Sequence, residues 1–85
     1  MPRYFFDVFE NLKGVERDDV GTEYASPEEA RDAAIQEVPL IIRSRQVEGD
    51  RGYIAIQIRD ETGQYIFRAS LTLLTRWLKS PGGTA

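Results

Sequence analysis

Residues 53–73, Y-I-A-I-Q-I-R-D-E-T-G-Q-Y-I-F-R-A-S-L-T-L, decide the fold. Tyr53 to Asp60 alternates with period two: Ile54, Ile56 and Ile58 point one way, Tyr53, Ala55, Gln57 and Arg59 the other. Gln64 to Leu73 alternates as well, with Tyr65, Phe67, Ala69, Leu71 and Leu73 on one side and Ile66, Arg68, Ser70 and Thr72 on the other. Period-two runs bounded by turn residues are half-buried strands. Asp60-Glu61-Thr62-Gly63 joins them as a hairpin. A three-residue loop with Gly63 as a bulge would set Ile58 opposite Ile66 and mix isoleucines with Arg68 and Ser70. A four-residue loop sets Ile58 opposite Tyr65, Ile56 opposite Phe67 and Ile54 opposite Ala69. A one-residue slip turns every side chain over, so burial favours the four-residue loop.

Upstream, Ser26-Pro27-Glu28-Glu29 is a helix start. Ser26 caps, Pro27 suits the first helical position, and Glu29 completes a capping box. The two glutamates sit at the positive end of the helix dipole. Ala30, Ala33, Ala34, Val38 and Ile41 follow at helical spacing, so the helix runs from Pro27 to about Arg45. Pro39 removes a backbone hydrogen bond and crowds the Ile35 carbonyl, which predicts a kink or two shorter helices. Gln46 to Gly52 reads as a polar loop.

Further upstream, Arg3 to Glu10 (R-Y-F-F-D-V-F-E) is rich in strand formers. Tyr4, Phe6 and Val8 share one face; Phe5, Asp7 and Phe9 share the other, which the aspartate marks as the wetter. Asn11 to Gly14 is a turn, Val15 to Asp18 a short return strand, and Gly21 to Ala25 leads into the helix. The expected fold is therefore α+β, β-β-α-β-β, with an antiparallel sheet of about four strands and one main helix on one face. Leu74 to Lys79 fits either a strand extension or a short terminal helix. Residues 1–79 form one domain, and 80–85 (S-P-G-G-T-A) a disordered tail.

Composition narrows the function classes. The 85 residues hold 41% hydrophobic and 29% charged side chains, with no cysteine and no histidine. That is globular, and it removes disulfides and the usual zinc, haem and iron–sulfur ligands. No metal and no cofactor is expected. A net charge of −3 is not the footprint of a nucleic-acid binder. No apolar run approaches the roughly 20 residues of a membrane span, and no signal-peptide pattern opens the chain. A cytoplasmic location is the default.

Catalytic spacing is missing too, so the chain is not expected to be an enzyme. Ser26 and Ser70 have no histidine to activate them. The glycines fit no phosphate loop. Asp7, Asp18, Asp19 and Glu23 are read as a solvated turn rather than an acidic site. Arg43, Arg45 and Arg51 cluster where cations suit the helix C-terminus. Trp77 is expected to anchor on the domain rim.

The outer sheet face offers the candidate interface: Phe5, Phe9, Tyr53, Ile66 and Arg68. Apolar groups ringed by polar ones mark protein contacts more often than stacked bases. A small core without staples is marginal, and self-association is a common remedy. The expected partner is a second copy, forming a homodimer, or another protein. Nucleic acid is not expected.

Four segments, P-R-Y-F-F-D-V, D-D-V-G-T-E, S-P-E-E-A-R and I-R-D-E-T-G, resemble a family of short bacterial proteins carrying a domain of unknown function. The resemblance covers Pro2 to about Leu73 and implies a single domain. A shorter likeness, strands followed by a helix beginning S-x-E-E-A, is to small antitoxin-type domains that pair with an RNA-cleaving toxin. It implies the alternative of an antitoxin-like regulator that binds a toxin or nucleic acid.

Overall fold

The computed structural model describes residues 1–10, 14–44, 51–79 and 81–82. Their order is β1 (Arg3–Glu10), β2 (Gly14–Glu16), β3 (Thr22–Glu23), α1 (Pro27–Ser44), β4 (Arg51–Arg59) and β5 (Tyr65–Leu74). This is the expected α+β arrangement with one more strand than foreseen. The sheet runs β2-β1-β4-β5, and β3 adds to β1. All pairings are antiparallel. The missed strand is only two residues long, too short for periodicity to reveal.

The helix starts where its sequence said. Ser26 Oγ accepts the Glu29 N–H at 3.2 Å, and the Glu29 carboxylate reaches back to the Ala25 N–H at 3.0 Å. Pro39 does not split it; α1 continues as one element to Ser44. Ala30, Ala34 and Val38 pack on Tyr4, Ile54, Ile56 and Ile58, all buried. Phe6, Val8, Ile41, Phe67 and Ala69 close over that cluster, as does Tyr24, whose ring stacks on Phe6 at 5.9 Å. Tyr24 has no partner at strand or helix spacing, so pattern reading passes over it.

The β4–β5 register corrects the expectation. Ile58 faces Phe67, Ile56 faces Ala69 and Ile54 faces Leu71, two residues from the anticipated pairing. The turn is the three-residue loop after all. The Asp60 N–H donates to the Gln64 carbonyl at 2.9 Å, the Gly63 N–H donates to Asp60 at 3.0 Å, and Gly63 has φ +89°. Gly63 supplies the left-handed residue that such a loop needs. Left alone, this loop would put the wrong faces together. A register shift between Ile58 and Arg59 inserts one residue into β5 and reunites the apolar faces. The shift also moves Tyr65, expected in the core, opposite Arg59 and onto the other face.

Of the remaining expectations, residues 75–77 adopt neither helix nor strand. The loop expected at 46–52 ends earlier, because Arg51 and Gly52 already belong to β4. Its residues 46–50 and most of the 80–85 tail lie outside the described residues, as do the side chains of Arg45 and Arg51; Arg43 is exposed in the last turn of α1.

Candidate interaction surface

The outer face was read as the wetter one, yet Asp7 at its centre is fully buried. An isolated buried carboxylate is very costly unless it is paired and hydrogen-bonded. Asp7 accepts four hydrogen bonds: Arg59 Nε at 3.2 Å, Arg59 Nη2 at 3.1 Å, Tyr65 Oη at 2.6 Å and the Asp18 N–H at 3.0 Å. Arg59, itself 9% exposed, also donates to the Asp18 carbonyl at 2.9 Å and lies 4.7 Å over the Phe5 ring. Burial works to raise the Asp7 pKa. The donors and the Arg59 charge outweigh it and hold the carboxyl at about 2, below its ordinary 3.8. The bond to Asp7 likewise raises the Arg59 pKa and raises that of the Tyr65 phenol.

Asp18 is the second hub. Burial again works upward. Hydrogen bonds from the N–H groups of Gly21, Phe6 and Val20, at 2.9 to 3.0 Å, lower its pKa despite the Asp7 charge. Its carboxylate thus serves the Phe6 N–H of β1 and turns the chain toward β3. Gly21 has φ +75°, and a Cβ there would lie 2.8 Å from Arg3 Cγ and from a Phe5 ring carbon. Only glycine suits both the backbone and the space. Asp19 and Glu23 stay at the surface, Glu23 3.5 Å from Arg3. The acidic cluster therefore divides: Asp7 and Asp18 join a cationic network, and the other two do not. Among the described residues no group of three or more potential ligands is placed to hold a metal, and no buried side-chain polar atom lacks a partner.

The candidate interface residues stand as follows. Phe5 is half-buried beneath Arg59. Phe9 is half-buried, with the Arg68 guanidinium 5.7 Å from its ring centre. Arg68 also donates to Gln57 Oε1 at 2.5 Å and to the Tyr53 hydroxyl. Phe5, Phe9, Tyr53 and Arg68 are brought together on one face, where the arginines cap the aromatics. Ile66, at the bulge, is 40% exposed.

The uncapped apolar surface lies elsewhere. β5 ends the sheet path and, among the described residues, pairs only with β4. Leu71 and Leu73 share the helix-facing side of this strand, opposite Ile54 and Gly52, yet α1 leaves them 38% and 39% exposed. Ile35 and Leu40 of α1 are more than half exposed. Between helix and strand runs an open cleft of about 300 Å³ lined by Ile35, Val38, Pro39, Ala69, Ser70 and Leu71. The sequence did place Leu71 and Leu73 on the helix face; it could not show that one helix fails to reach them. Trp77, expected on the rim, is 75% exposed.

Residues 3–72 fit the family model for a domain of unknown function, DUF6894, and the chain belongs to that family. No curated protein and no solved structure matches it. No described helix is long and apolar enough to cross a membrane.

Proposed function

We propose that this member of the DUF6894 family is a small protein-interaction module that self-associates, two copies joining along the free edge of β5. The observation that carries the reading is the edge itself: ten residues with exposed leucines at its C-terminal end. Long apolar edges template the addition of another strand, and monomers usually blunt them with charge, proline or cover. No reaction is assigned to the chain: the one buried carboxylate among the described residues, Asp7, already accepts from four donors.

Light scattering across a micromolar concentration series tests the proposal. The expected mass is twice 9.7 kDa. Leu73→Lys on the edge should return a folded monomer, while Tyr53→Glu on the capped outer face should leave the dimer intact. A monomer throughout the series would refute self-association. A dimer broken by Tyr53→Glu and spared by Leu73→Lys would move the interface to the outer face.

A further inference from the structure

The segment that follows β5 carries the most exposed large apolar side chain of the described residues. Leu78 is 94% exposed, beside Trp77 at 75% and Leu74 at 67%. The cleft between α1 and β5 is a second apolar surface without cover among the described residues. We infer that each is the other's partner across the dimer: the arm Leu74–Lys79 of one copy lies along β5 of the second and seats Trp77 in its α1–β5 cleft. This rests on the edge-to-edge reading and adds its register and its anchor.

Three observations support it. Directly opposed residues of an antiparallel pair share a face of the sheet. A two-fold axis at Leu74 pairs Leu71 with Trp77 of the second copy and Leu73 with its Thr75. Leu71 is on the helix-facing side and lines the cleft, so the indole opposite it arrives at the cleft mouth. Charge agrees as well. Residues 75–79 carry Arg76 and Lys79 and no acidic group, while Asp32 stands one helical turn before the cleft residue Ile35 on the same side of α1. Size is the third. A cleft of about 300 Å³ is at the small end of binding sites, suited to one large side chain rather than a long peptide.

Trp77 is the single tryptophan, so its emission reports its own surroundings. The full chain is followed by sedimentation velocity and by Trp emission with acrylamide quenching, over the concentration range in which mass changes. Emission should move to the blue and quenching should fall as dimer forms. Ile35→Glu, at a half-exposed cleft position, should restore the exposed spectrum. Trp77→Ser, at a 75% exposed position, should weaken dimerisation roughly tenfold or more, as loss of a buried interface aromatic does. A dimer whose tryptophan stays exposed overturns the arm and leaves the edge reading standing. Blue-shifted emission already present in dilute monomer overturns it too, because the arm then folds onto its own cleft. A monomer at every concentration overturns both.

Discussion

Replacing Asp7 with asparagine removes one charge and almost no volume, which isolates the electrostatic role of the network. The carboxylate is fully buried and accepts four hydrogen bonds, two of them from Arg59. Counting each at the 1.5–3 kcal/mol of a charged bond would give roughly 6–12 kcal/mol. That approaches the whole stability of an 85-residue domain, roughly 4–13 kcal/mol, so a simple sum is too large. The pair-breaking figure is the better guide. Removing one partner of a buried ion pair costs about 3–5 kcal/mol, chiefly because the other charge stays buried. Arg59 keeps its bond to the Asp18 carbonyl and its place over Phe5, which sets the expectation at about 3 kcal/mol.

Urea unfolding at pH 7 measures that loss. The double variant Asp7→Asn with Arg59→Met removes both charges and should recover most of it. Acidification gives an independent reading. The folded pKa lies below the unfolded one, so ionised Asp7 stabilises the fold above pH 4, and this contribution fades as pH falls from about 4 to about 2. The shift from 3.8 to about 2 corresponds to roughly 2 kcal/mol. Asp18, also lowered, loses its contribution in the same direction. Asp7→Asn should flatten the acid limb of the stability curve. A single-variant loss under about 1 kcal/mol, or a double variant no better than the single, would refute the reasoning.

Three further outcomes are expected. Tyr65→Phe removes the 2.6 Å donor to Asp7, should cost about 1.5–3 kcal/mol, and should move acid unfolding to higher pH, read by circular dichroism during titration. Gly21→Ala forces a left-handed φ and a 2.8 Å contact with Phe5, so a drop of about 1–3 kcal/mol is expected in urea melts. Ile56→Ala, at a fully buried position beneath α1, should lose about 2–5 kcal/mol by the same method, and an effect under about 0.5 kcal/mol would mean that β4 faces the other way.

The elements were legible where a local period or cap specifies them. Alternation at Ile54, Ile56 and Ile58 placed β4 the right way round, and Ser26 with Glu29 fixed the start of α1. The outer face was not legible in the same way. Period two tells which side Asp7 is on but not whether that side is dry, and its cation stands 52 residues away. A signal did exist: one aspartate among Phe5, Phe6 and Phe9 has an arginine of opposite sign at a same-face position of another predicted strand. The register failed for a different reason. Burial and turn chemistry were weighed as rivals, whereas the chain satisfies both by inserting a bulge. The segments D-D-V-G-T-E and I-R-D-E-T-G that carry the family likeness contain Asp18, Gly21 and Arg59. Their physical content includes this network.

The exposed flank of the sheet follows from dimensions. Four strands about 4.8 Å apart make a surface wider than one helix of about 10–12 Å can cover. The small side chains of Ala30 and Ala34 seat α1 close to β4, which leaves a shoulder on either side. On the β1 shoulder the chain supplies partial cover, since Tyr24 leaves β3 and stacks on Phe6, and a cleft of about 300 Å³ remains between α1 and β1. On the β5 shoulder the described residues supply none for Leu71 and Leu73. The bulge gives that strand an anchor at one end, because Tyr65 is tied to buried Asp7. The other end runs on through Leu74 to Trp77. On the proposed self-association, a strand fixed at its start and open along its edge would need little further ordering when the partner arrives. The network would then contribute to assembly without touching the partner: loosening Tyr65 by Tyr65→Phe should weaken the dimer as well as the fold. If light scattering showed the Tyr65→Phe dimer unchanged while its stability fell, anchoring and association would be independent, and the bulge would serve the monomer alone.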